Sequence, residues 1–420
     1  MENKKTVIIS LQDDNDELKR LAESLDYVVV KIFVQHHSTP NRSFYIGKGK
    51  IEEVKEYLEG KGIDYVIVNG KLTPSQWYNM EKELNAIVYD RIRLILDIFA
   101  DRAKRKEAKL QVKLAYLRYE KPYIKELVHK IRAGEHPGFM AGGEYEVANY
   151  YEMIKKQIKK IRKELEKIER ERESHYEYRW KKGYYLVTIA GYTNAGKSSL
   201  LNNLTGKNVK VEERLFSTLS TTTRAIKKRD APILITDTVG FIKDIPHWLI
   251  DSFKSTLKGI ELSDVVVLLV DISEENNTIV DKINLSVKEI MEINANQKIV
   301  IGFNKIDKIS KKERDNKINA LKEYIGNRPY VFLSAKTGEG IEELIKTIYH
   351  SLPGSVTMEI NFPSRVERQD ISFIFTKGVK VLYLSQLGDK IRISCSDQLK
   401  EKLMGKFIKK GAEVKIIQAV

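Results

Sequence analysis

The 420-residue chain is poor in the features that stabilise secreted proteins or anchor proteins in membranes. It has one cysteine, Cys395, so no disulfide can form within the chain and no cysteine-based metal cluster is possible. The longest aliphatic run, Val265–Val270, is far shorter than the roughly 20 residues that cross a bilayer. The first residues also lack the apolar stretch of a secretion signal. We therefore expect a cytoplasmic protein without a membrane partner.

Acidic residues are in deficit as well. The chain holds 73 Lys or Arg against 58 Asp or Glu, a formal net charge of +15, and its pI is about 9.3. Such an excess favours an anionic partner, with nucleic acid ahead of a membrane surface. A chain of this length is too long for one hydrophobic core, so we expect two to four domains.

Residues 1–100 alternate between two local patterns. Short β-branched or aromatic runs occur at 6–9, 27–33, 65–68 and 86–89, and helical patterns lie between them at 16–24, 50–59 and 74–84. Strands that alternate with helices predict an N-terminal α/β domain of parallel type. Its Gly47–Lys50 stretch lacks the spacing of a phosphate loop and is better interpreted as the start of a helix.

Residues 101–182 have no strand pattern and predict a basic, antiparallel helical hairpin. Apolar residues three and four apart form a coiled-coil seam on each arm, and Pro122 should kink or interrupt the first arm. A glycine-rich loop at 134–143 joins the arms, and 151–182 carry twelve Lys or Arg against seven acidic residues. The charge fits either a solvated exterior or a partner surface, and the loop favours a partner. The predicted seam comprises Leu110, Leu114, Leu117, Ile124, Leu127, Ile131, Tyr151, Ile154, Ile158, Ile161, Leu165 and Ile168.

Residues 183–353 predict a domain with a mostly parallel sheet. Its hydrophobic runs suit strands that are buried on both faces, and a polar motif follows most of them. Parallel sheets bind ligands at this carboxyl edge. Pro353 and Gly354 should end the domain, and 357–420 then predict a small C-terminal α+β domain. The strands are expected at 185–190, 233–237, 265–271, 299–304 and 330–333.

The first motif reads GYTNAGKS and spans Gly191–Ser198. A GxxxxGK[ST] pattern between a strand and a helix predicts a phosphate loop (P-loop), whose backbone amides and helix N-terminus cradle phosphates. Lys197 should reach the β- and γ-phosphates, and the Ser198 hydroxyl should bind Mg²⁺. The backbone of the loop is contributed by Gly191, Tyr192, Thr193, Asn194, Ala195 and Gly196, with Ser199 following Ser198.

A second motif, DTVG, spans Asp237–Gly240. Asp237 should hold Mg²⁺ through a water, and the Gly240 amide can contact the γ-phosphate and so report its loss. The metal needs one further hydroxyl from the threonine-rich stretch that begins at Phe216. Four residues compete for this role and the pattern does not choose among them: Thr218, Thr221, Thr222 and Thr223.

Two later motifs select the base. The Asp307 carboxylate can accept hydrogen bonds from N1–H and the exocyclic amine of guanine, a pair that adenine does not offer. The Lys305 stem should pack on the ring, and Asn304 should tie this segment to the phosphate loop. Ser334, Ala335 and Lys336 place a backbone amide at the guanine O6. We therefore predict GTP and GDP as ligands.

One residue that many GTPases use is missing. A glutamine commonly follows the DxxG motif and orients the attacking water, but here the chain has Phe241 and then Ile242. We expect slow intrinsic hydrolysis, with the missing group supplied by a partner, another residue or a bound cation. A side-chain oxygen of Asn194 could hold K⁺ near the phosphates.

Several segments together resemble the HflX family of translation-factor-related GTPases. The similar segments are 191–199 (GYTNAGKSS), 216–224 (FSTLSTTTR), 237–242 (DTVGFI), 72–76 (LTPSQ), 88–103, 107–122 and 142–147. The resemblance implies a GTPase that binds the large ribosomal subunit and its rRNA through the N-terminal domain and hairpin, and that acts in ribosome splitting or rescue. It also implies Thr218 as the metal-binding threonine. Together with Lys197 and Gly240 from the motifs above, Thr218 forms the expected catalytic set.

The chain departs from that family in two places. Ser220 and Thr221 replace a common Asp-Pro pair, and the loop after Arg132 is shorter and less arginine-rich than in many bacterial members. Two alternatives stay open: a nucleotide-gated RNA-binding module with incidental hydrolysis, and a tRNA-modification GTPase, which would need a reactive cysteine near its C-terminus. We expect a monomer.

Overall fold

The computed structural model describes residues 4–132, 142–181, 184–206, 223–226, 233–238, 240–242, 246–252, 259–353, 355–363, 374, 379–385 and 389–419. These residues form two compact units. The first comprises the chain up to Ile168 together with the short segment 246–252. The second comprises the rest of the described chain from Glu169 onward.

The first unit contains a parallel four-stranded sheet in the order β2-β1-β3-β4. Its strands are β1 (Lys4–Ser10), β2 (Tyr27–Val34), β3 (Tyr65–Val68) and β4 (Ile87–Asp90), and the connecting helices are α1 (Asp16–Glu23), α2 (Lys48–Leu58) and α3 (Pro74–Leu84). Helix α3 begins at a capping box in which the Thr73 side chain and the Gln76 side chain each bind the other's backbone. Helix α2 begins at Lys48, so the Gly47–Lys50 stretch starts a helix as expected.

Helix α4 (Arg91–Arg102) follows β4 directly and was absent from the sequence prediction. Its residues Ile92, Leu94, Ile95 and Leu96 are all buried. Asp90 is both the last residue of β4 and the N-cap of this helix, where its carboxylate accepts from the Arg93 amide at 2.8 Å, so no turn residues in the sequence separate the strand from the helix.

The helical arms are α5 (Lys106–Arg132) and α6 (Gly142–Lys181). Apolar residues of the predicted seam pack together where the arms meet. Pro122 was expected to kink or interrupt the first arm; it does not interrupt it, because α5 runs through it, and a kink stays a prediction. Aromatic neighbours hold the turn around this proline, since Tyr123 donates from its hydroxyl to the Leu72 carbonyl at 3.2 Å and packs on Tyr119. Such contacts compensate for the one backbone hydrogen bond that proline lacks. The packed seam comprises Leu114, Leu117, Ile154, Ile158 and Ile161, with Leu110, Ile124 and Leu165 against it.

Part of the predicted hairpin lies outside the described residues, namely 133–141, which include most of the glycine-rich loop at 134–143, and residue 182. None of the described helices is both long and apolar enough to cross a membrane.

The second unit contains a six-stranded sheet in the order β10-β9-β8-β5-β7-β6, in which only the β6–β7 pair is antiparallel. The central strands β5 and β8 are buried along their whole length, as a parallel sheet covered on both faces requires. The strands are β5 (Tyr185–Gly191), β6 (Thr223–Ala225), β7 (Ile233–Asp237), β8 (Val265–Asp271), β9 (Ile299–Asn304) and β10 (Tyr330–Phe332). Their helices are α7 (Lys197–Thr205), α9 (Asn276–Ile293), α10 (Lys311–Ile325) and α11 (Ile341–Ser351); α8 (His247–Ser252) belongs to the first unit.

An antiparallel sheet in the order β12-β13-β11-β14 ends the chain. Its strands are β11 (Ser355–Asn361), β12 (Val379–Leu384), β13 (Lys390–Ser396) and β14 (Glu413–Ala419). Helix α12 (Asp397–Lys409) contributes Leu399, Leu403 and Phe407 to the core beside this sheet, and Cys395 lies in the same core. The expected fold class, an α/β multidomain protein with a mostly parallel nucleotide-domain sheet and a C-terminal α+β part, is confirmed. The exact domain boundaries stay predictions.

Candidate nucleotide site

The phosphate-loop segment begins at the last residue of β5 and contains two glycines that the backbone requires. Gly191 has φ +140° and Gly196 has φ +97°, in the region where side chains are strained. A Cβ on Gly191 would lie 2.3 Å from the carbonyl oxygen of Leu269, and a Cβ on Gly196 would lie 2.3 Å from Asn304 Nδ2. Neither position can therefore accept alanine without moving its neighbours. Asn194, at φ +63°, is exposed at the tip of the loop.

The segment that carries the second motif packs beside this loop. The Phe241 amide donates to Gly191 O at 3.0 Å, and the Thr193 amide donates to Phe241 O at 3.0 Å. The Phe241 side chain is buried in a hydrophobic cluster with Tyr192, Val270 and Ile272. The position where many GTPases have a polar, water-orienting side chain is here part of the hydrophobic core.

Lys197 is the buried cation of the site. Its ammonium donates to Tyr192 O at 2.8 Å and to Gly191 O at 3.1 Å. Burial lowers the pKa of Lys197 to about 8, and the nearby Asp237 carboxylate opposes this shift. A Cβ on Gly240 would lie 2.9 Å from Lys197 Nζ. The structure therefore places the lysine and the glycine of the second motif in direct proximity.

Two of the three predicted metal ligands are described. Ser198 lies in the first turn of α7, and Asp237 is the last residue of β7 and is buried. Asp237 pairs in register with Ile189 of β5, two residues before the phosphate loop begins. A hydroxyl and a carboxylate, completed by waters and substrate phosphates, are the oxygen ligands that Mg²⁺ prefers. Phe216 and Thr218 lie outside the described residues.

Asn304 links the base-recognition segment to the phosphate loop. Its side-chain amide donates to Ala195 O at 2.7 Å. Its carbonyl oxygen accepts from the Ala335 amide at 2.8 Å. One side chain thus joins three of the predicted segments. Asn203 on α7 adds a contact that the sequence did not reveal, because its side-chain amide donates to Ala335 O at 2.9 Å.

The two charged residues after Asn304 each have a fixed partner. The Ser334 hydroxyl donates to Asp307 Oδ1 at 2.7 Å, and Lys305 Nζ lies 2.6 Å from Asp271 Oδ2. Burial alone would raise the pKa of Asp271, but hydrogen bonds from Lys305 and Ser273 outweigh it and leave the pKa below its usual range. The sequence analysis did not predict Asp271 as a site residue. Its position at the end of the buried strand β8 is the feature that could have identified it.

The remaining predicted residues lie in the same part of the second unit. Ser199 follows Ser198 on α7, and Lys336 is exposed after the buried Ser334 and Ala335. The described carboxyl edge therefore presents a glycine-rich loop, a buried lysine, a hydroxyl with a carboxylate, and a supported carboxylate for a base. Within the described residues, no group of three or more His, Cys, Asp or Glu side chains is placed to hold a metal by itself.

Known proteins resemble this chain along most of its length. Residues 12–100, 102–179 and 186–305 match families described as "GTP-binding GTPase N-terminal", "GTP-binding GTPase Middle Region" and "50S ribosome-binding GTPase". A protein named GTPase HflX from Methanocaldococcus jannaschii is 41% identical over 349 residues, which cover 83% of this chain and 85% of the relative. Another GTPase HflX, from Thermococcus kodakarensis, is 37% identical over 408 residues, covering 95% and 91%.

The chain is also similar to a solved structure, a GTP-binding protein from the hyperthermophilic archaeon Sulfolobus solfataricus in complex with GDP. The two sequences are 30% identical, the match covers 83% of this chain and 98% of that one, and the TM-score is 0.45. The two HflX relatives exceed 30% identity over more than four fifths of the chain. The chain therefore belongs to the HflX family of GTPases.

Proposed function

We propose that this GTPase binds the large ribosomal subunit in its GTP state and acts in splitting or rescuing ribosomes. The observation that carries the proposal is the match of residues 186–305 to a family described by binding to the 50S ribosome. The net charge of +15 supports an RNA-rich partner. A cytoplasmic, monomeric state remains part of the proposal.

Segment 246–252 supports a link between nucleotide state and the first unit. It follows the second motif closely in sequence, yet it belongs to the first unit. There the Arg118 guanidinium of α5 donates to Trp248 O and to Ser252 Oγ, each at 3.0 Å. In our proposal, loss of the γ-phosphate moves Gly240, and this movement shifts segment 246–252. The shift alters the hydrogen bonds that Arg118 of α5 donates to α8.

The residue roles at the nucleotide site are part of the same proposal. Asp307, held by Ser334, binds the guanine edge, and Lys197 binds the β- and γ-phosphates. Ser198 and Asp237 hold Mg²⁺, which supplies charge neutralisation between the phosphates when it is bound. Thr218 completes the metal site on the strength of the family resemblance alone.

Intrinsic hydrolysis should be slow because Phe241 provides no polar atom to orient a water. We propose that the ribosomal partner supplies the missing group, or that K⁺ bound near Asn194 supplies part of the missing charge. Turnover measured in K⁺ and in Na⁺ at equal ionic strength tests the second route. Equal rates in the two salts would eliminate it.

Sedimentation with purified subunits tests the proposal. The full chain should pellet with large subunits in a non-hydrolysable GTP analogue and much less in GDP, and large subunits should raise turnover steeply. Small subunits serve as the control. Equal pelleting with both nucleotides together with unchanged turnover at low salt would contradict the proposal.

One alternative function retains support. The burial of Phe241 is compatible with a nucleotide-gated RNA-binding module in which hydrolysis is incidental. In that case a variant that binds GTP but does not hydrolyse it would release and rebind subunits normally. The tRNA-modification alternative is disfavoured, since Cys395 is only 2% exposed inside the C-terminal core.

A further inference from the structure

The first unit contains a cavity that the nucleotide chemistry does not use. It has a volume of about 190 Å³ and lies among side chains of α3, α4, α5 and α6. Sites for drug-sized ligands usually occupy about 300–1,000 Å³. This cavity therefore suits a single ring system or one side chain. All of its lining residues belong to the first unit.

Five aromatic side chains line this cavity, and contacts hold the inner ones in place. The Trp77 and Tyr123 rings meet edge to face with centroids 5.4 Å apart, and the Tyr119 and Tyr123 centroids are 4.9 Å apart. Trp77 Nε1 donates to Val88 O at 3.2 Å, so its polar edge is already occupied. The rings are therefore ordered before any ligand arrives, which lowers the entropic cost of stacking on them. The five rings are those of Trp77, Tyr78, Tyr119, Tyr123 and Tyr150.

The polar part of the lining combines a donor with acceptors. Arg93 provides guanidinium N–H groups, and Glu120 and Glu126 provide carboxylates. Glu126 accepts from the Ser75 hydroxyl at 3.0 Å. Among the described residues, none donates a hydrogen bond to the Glu120 carboxylate. Burial raises the pKa of Glu120, and the charge of Arg93 only partly offsets this. Glu120 therefore gains most from a ligand that donates to it.

This lining discriminates among ligand classes. A cation could meet the carboxylates and rings but would offer no acceptor to Arg93. An anion would be repelled by two carboxylates, and a purely apolar group would leave Glu120 unpaired at a cost of about 1–3 kcal/mol. A nucleobase meets all the conditions, because its ring stacks on the aromatic walls while its amino or imino group donates to Glu120 and a ring acceptor receives from Arg93.

We propose that the cavity binds one unstacked base of an RNA strand. The net charge of +15 favours a polyanionic carrier of the base over a free heterocycle. Lys125, which is exposed on α5 and adjacent in sequence to the lining residues Ile124 and Glu126, adds positive charge to this part of the helix. Stacking on aromatic side chains contributes about 1–3 kcal/mol per base.

Trp77 provides a direct readout. The chain has three tryptophans, and replacing Trp180 and Trp248 by phenylalanine leaves Trp77 as the only indole in the full-length protein. The probe is a pentamer of abasic tetrahydrofuran spacers with one central adenine or cytosine, titrated at low salt in the absence of GTP. The matched control is the fully abasic pentamer, which carries the same phosphates.

We expect the base-bearing pentamer to quench Trp77 and to bind about 5- to 150-fold more tightly than the abasic one. Glu120→Gln should weaken that preference by about tenfold or more, because it exchanges a charged acceptor for a neutral one. Tyr150→Ala should also reduce the preference for the base-bearing pentamer, by no more than the loss of one stacked ring accounts for. Glu52→Gln, an exposed site on α2 outside the cavity, should leave it unchanged.

Three results would overturn the proposal. Equal quenching and affinity for the two pentamers would show that only phosphates bind. Displacement of the pentamer by tetramethylammonium, together with quenching by that cation, would identify a cage for cations instead. If free nucleoside monophosphates bind as tightly as the pentamer, the ligand of the cavity is a free nucleotide and not an RNA strand. Because the assay uses neither GTP nor ribosomes, its failure is distinguishable from failure of the proposed function.

Discussion

The side-chain amide of Asn304 donates to the carbonyl oxygen of Ala195 across 2.7 Å, although the two residues are 109 positions apart in the chain. This hydrogen bond ties the segment that selects the base to the loop that should hold the phosphates. The same side chain accepts from Ala335. Recognition of the base and of the phosphates thus depends on one shared, buried set of hydrogen bonds.

Gly196→Ala should disrupt this shared set. The added Cβ would lie 2.3 Å from Asn304 Nδ2 at a backbone φ of +97°, so either the loop or the asparagine must move. We expect loss of detectable nucleotide binding and a lower Tm in thermal unfolding. Gly405→Ala is the matched control, because nothing lies within 4 Å of its new Cβ and a helical glycine replaced by alanine gains about 0.5–1 kcal/mol. Equal Tm changes in the two variants would contradict the close approach.

Asp307→Asn should change which base is bound. An amide can donate where the carboxylate accepts, so the site would lose guanine and gain xanthine, which presents a carbonyl in place of the amine. We expect GDP affinity to fall by about 100-fold or more and XDP affinity to rise, measured by displacement of a fluorescent nucleotide. Asp315→Asn, an exposed residue of α10, is the control. Parallel losses for both nucleotides would indicate a structural role for Asp307 instead.

The lowered pKa of Lys197 predicts proton uptake on nucleotide binding. With a pKa of about 8, this lysine is largely neutral in the free protein at pH 8.5, and phosphates favour its charged form. Binding should then take up roughly 0.8 proton at pH 8.5 and roughly 0.1 at pH 7. Calorimetry of GDP binding in two buffers with different ionisation enthalpies measures this uptake. Equal uptake at both pH values would contradict it.

The same lysine makes nucleotide-free stability depend on pH. Because its folded pKa lies below its unfolded pKa of 10.5, the unfolded chain binds more protons between about pH 8 and 10.5. The contribution of Lys197 to the free energy of unfolding therefore rises with pH through that window. Lys197→Met, which has no charge to bury, should flatten this part of the profile in urea unfolding experiments.

Arg118→Ala should weaken the link between nucleotide state and the first unit. The change removes two hydrogen bonds that hold α8, to Trp248 O and to Ser252 Oγ. We expect nucleotide affinity within about twofold of the unmodified protein but a smaller difference in subunit pelleting between the GTP analogue and GDP. Lys113→Ala, at an exposed position of the same helix, is the control. An unchanged difference in pelleting would show that this contact carries no coupling.

Several elements were predictable because their signals are local. The strand at 65–68 and the helix at 74–84 were predicted at their observed bounds, since turn residues and a capping box mark their ends. Helix α4 was missed because it begins directly after β4, and no turn residues mark the boundary between the two elements. Strand β6 was missed because Thr223–Ala225 carries no apolar alternation and is defined only by its pairing with β7. The interruption expected at Pro122 does not occur, and one of the contacts beside this proline comes from Leu72, 51 residues away from Tyr123 in the chain.

The sequence by itself determined that this chain carries a P-loop and guanine-type motifs in the order and spacing of a GTPase, because each motif is short, contiguous and placed directly after a hydrophobic strand. Only the tertiary structure decided which side chains support them. The Lys305–Asp271, Ser334–Asp307 and Asn203–Ala335 contacts join residues from different strands and helices, and no local pattern records such pairs. The aromatic cavity has the same origin, since its walls come together only when α3, α4, α5 and α6 pack.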